Sequence, residues 1–419
     1  MANAPRGPES APTRTDPVVA AMSEVVGGPV GDHAGGHPWW SPARVLVGST
    51  AVVLAAGMVS KGACVPSGWS KPDQPFAQQC WSELAGRSTG DATAPHVATW
   101  LQRLGELFPG SGTVSSTAGA AVLLAALALL ATALLARVDV RRPWAAAGWA
   151  MSPLLLVHWL SWELVAAVGV AVLLWGWTSG RAWVAGVGAG IGAAFALPVL
   201  LAFVGVIAIG GRMRDRFDAL LAAAAAYVVI TLPGRGTVPD VDTGSIWLLL
   251  QQAGHTPSST LRTAVQLVVL AAAAGAVWWS ARRSRRATVT TCARSGLVLL
   301  AAALVVAPSA PPEAALLALP LAAIGVRRWR DLLVWQGLTL LSSVITGWWV
   351  GQALDPTITD DDRAYWLAVV LRVGALVWLV VAVLREAGSE SADDDAVEVG
   401  RGEADPDVDV LADAGDARA

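Results

Sequence analysis

The chain has 419 residues, 54% of them hydrophobic and only 15% charged, with three cysteines. A soluble domain carries roughly 25% charged residues, so this composition excludes an ordinary water-soluble fold. The formal net charge of −3 is local in origin, because residues 387–419 hold eleven acids and two arginines while the rest carries 27 basic and 21 acidic side chains.

Apolar runs of about 20 residues recur from position 43 to position 384. Such runs match the hydrocarbon thickness of a bilayer. The expected fold is all-α, a polytopic transmembrane helical bundle. In chain order, residues 1–42 read as a disordered cytoplasmic tail that carries VVGGPVGDHA at 25–34 and no apolar leader run. The first span is 43–60. The outer loop 61–113 follows, with KGAC at 61–64 and QQCWSEL at 78–84. Within it, 95–108 places Val97, Leu101, Leu104 and Phe108 on one helical face, the pattern of an interfacial amphipathic helix. The second span is 114–136.

Residues 144–178 are too long for one span. Pro153 and the polar patch from His158 to Glu163 divide them into two short helices. In 183–211, Gly186, Gly188, Gly190 and Gly192 precede Pro198, which predicts a second broken or re-entrant pair. Further spans are expected at 217–232, 259–280, 290–306, 313–326, 331–350 and 364–384. The total is about 12 membrane segments in a domain covering 43–385. The acidic stretch 386–419 reads as a disordered cytoplasmic tail.

Arginines fall on alternate connections: Arg137, Arg141 and Arg142, then Arg181, the 212–216 group, the 282–286 group, the 327–330 group and Arg385. By the positive-inside rule these connections face the cytoplasm. The expected location is the plasma membrane, multi-pass, with both termini cytoplasmic. The loops 61–113, 158–163, 233–258, 308–312 and 351–363 then face outward. Trp39-Trp40, Trp278-Trp279 and Trp348-Trp349 fall at segment ends, as an interfacial aromatic belt requires.

Several outward groups can carry chemistry. Cys64 and Cys80 enclose fifteen residues. In an oxidising compartment a disulfide there contributes on the order of 3 kcal/mol; two unrelated thiols are the other reading. Cys292 lies in an apolar segment, as inert packing. Glu83, His158, Glu163 and Glu313 are outward ionisable groups, and a carboxylate at a membrane surface can act as general base for a sugar hydroxyl. Each read alone is equally an ordinary loop residue. Glu163 stands out because an ionisable group in an apolar stretch is costly. Arg372 sits eight residues into the last span, where it either snorkels or holds a lipid phosphate. The chain has no nucleotide loop, zinc spacing, nucleophile elbow or dinucleotide fingerprint, so neither metal nor cofactor is expected. No basic stripe with interleaved aromatics points to nucleic acid.

Four stretches carry a resemblance: VVGGPVGDHA at 25–34, KGAC with QQCWSEL, SWELVAAVGVAVLLWGWTSGRAWVAGVGAGIGAA at 161–194, and ALPLAAIGVRRWRDLLVWQ at 318–336. Through them the chain resembles actinobacterial integral-membrane glycosyltransferases of the GT-C type. The nearest class is the polyprenyl-phosphate-mannose-dependent α-mannosyltransferase-like proteins, glycosyltransferase family 87. The resemblance implies a GT-C-like bundle that moves a sugar, mannose in the family, from a polyprenyl-phosphate sugar lipid to an envelope glycan or glycolipid acceptor. It implies Glu83 as catalytic base, in the place of the family's first-loop Asp. His158, Glu163, Glu313 and Arg372 are the substrate-contact candidates, and membrane lipids are the remaining partners. The departures are specific. Residues 81–113 contain no tyrosine where the family has a Tyr-Glu-Tyr-Pro-like segment. Ser161-Trp162-Glu163 stands for an Asn-Phe-Asp-like turn, Phe195 to Pro198 lacks the family's Lys and Tyr, and Pro311-Pro312-Glu313 replaces a Ser-Pro-Gln-like helix start. Two other readings stay open at this point: a non-catalytic relative that binds a lipid or a partner in envelope assembly, and a transporter, since broken helices also mark transporter sites.

Overall fold

The computed structural model describes residues 41–65, 74–82, 84, 113–232, 241–283, 288–354 and 362–402. The expected N-terminal tail, the amphipathic helix at 95–108 and Glu83 lie outside the described residues, as do 233–240 and 403–419. Among the described residues the chain is helical, with no strand.

Among the described residues, six helices are long and apolar enough to cross a bilayer: those at Pro42–Cys64, Thr117–Val138, Ser259–Arg282, Val289–Val306, Trp329–Ala353 and Asp362–Gly388. At 1.5 Å per residue, 18 or more residues reach close to the roughly 30 Å hydrocarbon thickness. We label the helices α1 (Pro42–Ser60), α2 (Thr113–Val138), α3 (Pro153–His158), α4 (Glu163–Thr178), α5 (Ala182–Phe195), α6 (Val199–Ala208) and α7 (Met213–Thr231). They continue with α8 (Ile246–Gln252), α9 (Ser259–Arg283), α10 (Val289–Val306), α11 (Ala315–Gly325), α12 (Trp329–Ala353) and α13 (Asp362–Gly402). Helices α4, α5, α6 and α11 are apolar but shorter than a full span.

The short helices form the interior. Most of α4 and all of α11 are buried, and α10 beside them is buried over most of its length. Helix α9 lies at the periphery and exposes Leu261, Leu267, Val268, Trp278 and Trp279. A helix apolar on all sides has no preferred face of its own. Small residues supply the contacts instead. A Cβ on Gly169 of α4 would come within 2.6 Å of the Gly188 carbonyl of α5, and one on Gly186 would collide with the Ala219 carbonyl of α7. The broken pair expected over 183–211 is present as α5 and α6, and the four glycines before Pro198 sit inside α5, where they let α4 and α7 close on its two sides. The break falls after them, at Ala196–Pro198.

The connections separate into two ends. At one end Trp177 Nε1 donates to Ile209 O, and the arginine-rich turns 139–143 and 326–329 meet. At the other end lie the loop after α1, the turn 158–163, the loops 241–245 and 307–313, and the end of α12. There Asp242 N donates to Pro308 O, Ala310 N to Thr243 O, and the Tyr365 hydroxyl to Ser245 O. Gly244, at φ +76°, lies so close to Ala310 O and the Arg372 guanidinium that a side chain there would clash.

Two expectations change. Helix α13 does not end near Leu384 but continues to Gly402; no proline occurs between Asp362 and Pro406, and the Ala- and Glu-rich sequence permits helix throughout. Glu386 is 5% exposed and belongs to the packed body rather than to a solvated tail. Of the expected tryptophan belt, Trp278, Trp279 and Trp348 are exposed, but Trp349 is buried against Tyr365 with ring centroids 4.5 Å apart.

Candidate functional site

Opposite the arginine-rich end, a cavity of about 190 Å³ is lined by residues from six segments, Thr243 of the loop 241–245 among them. Lys61 comes from the end of α1, Phe76, Gln79 and Trp81 from the first loop, and Val157 and His158 from α3. Pro311, Pro312 and Glu313 come from the loop before α11, and Ser343, Thr346 and Gly347 from α12.

The first loop is held by covalent and polar ties. Cys64 and Cys80 form a disulfide with Cα atoms 6.0 Å apart, and both are fully buried. A single helical turn at Gln74–Ala77 leads into a tight reversal in which Cys80 N and Trp81 N both donate to Pro75 O. Gln79 sits there at φ +54°, a left-handed conformation uncommon outside glycine. Its side-chain amide explains its tolerance, donating to Phe76 O at 2.9 Å and to Val344 O of α12 at 3.2 Å. Lys61 closes the same loop by donating to Trp81 O at 2.9 Å and Gln79 O at 3.4 Å. Phe76 and Trp81 stack at 5.3 Å, so one wall is aromatic.

Three ionisable groups meet at this cavity, and all are buried: Lys61 at 3% exposure, Glu313 at 6% and His158 at 8%. Lys61 and Glu313 interact electrostatically. His158 ends α3, outside the spanning helices. Burial, with the Lys61 charge second, pulls its imidazole down to about 3 from 6.5, so the ring is neutral. Its tautomer follows from the network. Ser343 Oγ donates to Thr339 O at 2.8 Å and therefore accepts from His158 Nε2–H at 3.1 Å. Nδ1 is left as an acceptor, and it faces Glu313 Oε1 at 3.8 Å. An unprotonated ring nitrogen and a carboxylate oxygen at that separation form a seat for a shared proton donor, such as a hydroxyl.

Of the residues expected from sequence, His158 and Glu313 meet here. Glu163 does not line the cavity; it begins α4, where the helix dipole favours a carboxylate, and its Oε2 is shielded from solvent. Arg372 is buried in α13 and also off the cavity lining. Its guanidinium donates to Ala310 O and, at 3.1 Å, to Leu304 O. It thereby supports the loop that presents Glu313. Glu83 lies outside the described residues, but its neighbours are fixed: Ser82 Oγ donates to Leu160 O at 2.7 Å and Leu84 is buried. Lys61 escaped the sequence reading as a functional group. The available signal was a lysine, one of two in the chain, at the end of an apolar run.

Reduction should release this loop. We expect reductant to lower the thermal unfolding midpoint of the purified protein, by the equivalent of about 3 kcal/mol for a loop of this length. The Cys64→Ser/Cys80→Ser double variant should start lower and show no response. Equal sensitivity of both proteins to reductant would refute a stabilising role for the bond.

Comparison with protein-family models, with characterised proteins and with solved structures finds no match to this chain.

Proposed function

We propose that the protein is a membrane-embedded glycosyltransferase that moves a sugar, in the nearest case mannose, from a polyprenyl-phosphate donor to a cell-envelope glycan or glycolipid. The reading places the chain in the plasma membrane as a GT-C-like bundle of about 12 segments, the short helices included, with both termini cytoplasmic and the cavity outside. The observation that carries it is the seat between His158 Nδ1 and Glu313 Oε1, beside a buried lysine and an aromatic wall.

The chemistry follows from those groups. An acceptor hydroxyl donates between Nδ1 and Oε1. Glu313 takes the proton as the hydroxyl oxygen attacks the anomeric carbon. The bond from that carbon to the phosphate oxygen breaks, and the phosphate leaves with the electron pair toward the Lys61 ammonium. Phe76 and Trp81 offer a face for the sugar ring. A volume of about 190 Å³ is smaller than the ~300–1,000 Å³ of drug-sized ligand sites. It suits one sugar unit, with the lipid chain lying outside.

Two measurements test this. Membranes containing the protein should transfer labelled sugar from a polyprenyl-phosphate donor to a lipid or glycan fraction, and membranes without it should not. Binding of the donor without transfer would favour a non-catalytic relative instead. For orientation, Thr256→Cys and Val140→Cys place thiols at exposed positions of opposite ends. An impermeant maleimide should label Thr256→Cys in intact cells and Val140→Cys only after permeabilisation. The opposite pattern would invert the protein and put the cavity inside the cell.

A further inference from the structure

The other end of the bundle holds a second cavity, of about 290 Å³, between the turn that follows α2 and the turn that joins α11 to α12. Its charged lining is Arg141, Arg142 and Arg327, and no acidic residue lines it. The floor is apolar, made by Ala323, Val326 and Leu332, and the rim carries Trp144 and Trp329. Those two tryptophans are 52% and 50% exposed, as residues in contact with an interface would be.

The acids of this end are occupied elsewhere. Asp139 Oδ1 accepts from Arg141 N at 3.0 Å, within its own turn. Asp331 Oδ1 lies 3.5 Å from Arg330 Nε. Glu386 accepts from the Arg294 guanidinium at 2.8 Å and from the backbone of Arg327 and Arg328. Arg142 is different. Its Nη1 is shut off from solvent and has no hydrogen-bond partner among the described residues. A buried guanidinium nitrogen left without an acceptor is costly, and the residue that carries it lines a cavity whose charged lining is all positive.

The geometry points to a binding site for the phosphate group of an anionic phospholipid in the leaflet at the arginine-rich end. The guanidinium groups of Arg141, Arg142 and Arg327 supply the charge and the donors. Trp144 and Trp329 flank the glycerol region at the interface. The forked donor geometry of arginine suits phosphate oxygens. The apolar floor and the tryptophan rim favour a lipid over a free anion, because a soluble phosphate gains nothing from them. This site does not depend on the transferase reading, since it lies at the opposite end of the bundle.

The test is a titration of the purified full-length chain in neutral detergent micelles with dioleoyl phosphatidylglycerol, read as bound lipid by native mass spectrometry. Parallel arms use dioleoyl phosphatidylcholine and inorganic phosphate. We expect phosphatidylglycerol to bind at least several-fold more tightly than phosphatidylcholine, and Arg142→Gln to weaken it by about tenfold, the loss of one charge-assisted hydrogen bond. Trp144→Ala, a change at a half-exposed position, should weaken it without disturbing the fold, and gives a second reading if Arg142→Gln folds poorly. Arg214→Gln, on a 90% exposed side chain at the start of α7, should change nothing. Equal losses for Arg214→Gln and Arg142→Gln would reduce the effect to general surface charge and overturn the site. So would wild-type affinity in both Arg142→Gln and Trp144→Ala. Competition by inorganic phosphate at the concentration where phosphatidylglycerol binds would overturn the lipid assignment.

Discussion

Glu313→Gln should lower sugar transfer in membranes by about 10² to 10⁴, the usual worth of a positioned general base, with the protein level and the unfolding midpoint nearly unchanged. The substitution keeps the size and hydrogen-bonding capacity of the side chain and removes its basicity. Glu313 is presented at the start of a helix by a Pro-Pro turn whose backbone is tied to Thr243 and Arg372, so the fold does not depend on its charge alone. His158→Gln should lose activity for a related reason: its amide nitrogen can take the place of Nε2 at Ser343, but it carries no acceptor at the Nδ1 position that shares the seat. Glu83→Gln is the discriminating control. Full activity in Glu83→Gln with loss in Glu313→Gln would assign the base to the cavity. The reverse result would return it to the first loop, where the family resemblance puts it, and Glu313 would then be a positioning residue.

The largest stability effect is expected at the other end. Glu386→Ala should destabilise the protein by about 3–5 kcal/mol, the typical result of removing one partner of a buried ion pair. The Glu386 carboxylate accepts from Arg294 Nη2 at 2.8 Å and from Arg327 N and Arg328 N at 3.0 Å each. Those two amides lie at the start of α12, so one carboxylate both meets the arginine and caps a helix. Arg294 also donates through Nε to Gly325 O at 2.9 Å, linking α10 to the end of α11. Three helices and the start of a fourth therefore meet at Glu386. The check is thermal unfolding at one fixed scan rate in one micelle, with the double variant Arg294→Met/Glu386→Leu alongside. Apolar residues of similar volume should restore much of the loss, since neither charge is then left buried. A Glu386→Ala protein as stable as the wild type would mean that the last helix is not anchored there.

The limits of sequence reading show at particular residues. His158 and Glu313 were visible as polar groups beside short helices, but nothing in either stretch says that they meet. They are 155 positions apart, and the contact requires α3, α11 and α12 to pack at one end. Arg372 was legible as a charge inside a span, and both readings of it concerned lipid. Its actual partners are carbonyls of another helix end, which no local pattern announces. The broken pair over 183–211 was legible and is present as α5 and α6, but the packing role of the glycines inside α5 was not, because small residues serve equally for chain reversal and for close helix packing.

By itself the sequence determined that this is a helical membrane protein, where its apolar helices lie, and which connections carry the arginines. Those properties depend on local hydropathy and charge, and burial in an apolar phase selects for them one segment at a time. Only the tertiary structure decided which ends converge, that Lys61, His158 and Glu313 share one cavity, and that Glu386 belongs to the core. Helices apolar on every side, such as α4 and α11, carry no face that names a partner. Their arrangement is selected by close packing of small residues and by the pairing of buried polar groups, which are non-local and appear only when the whole bundle is assembled.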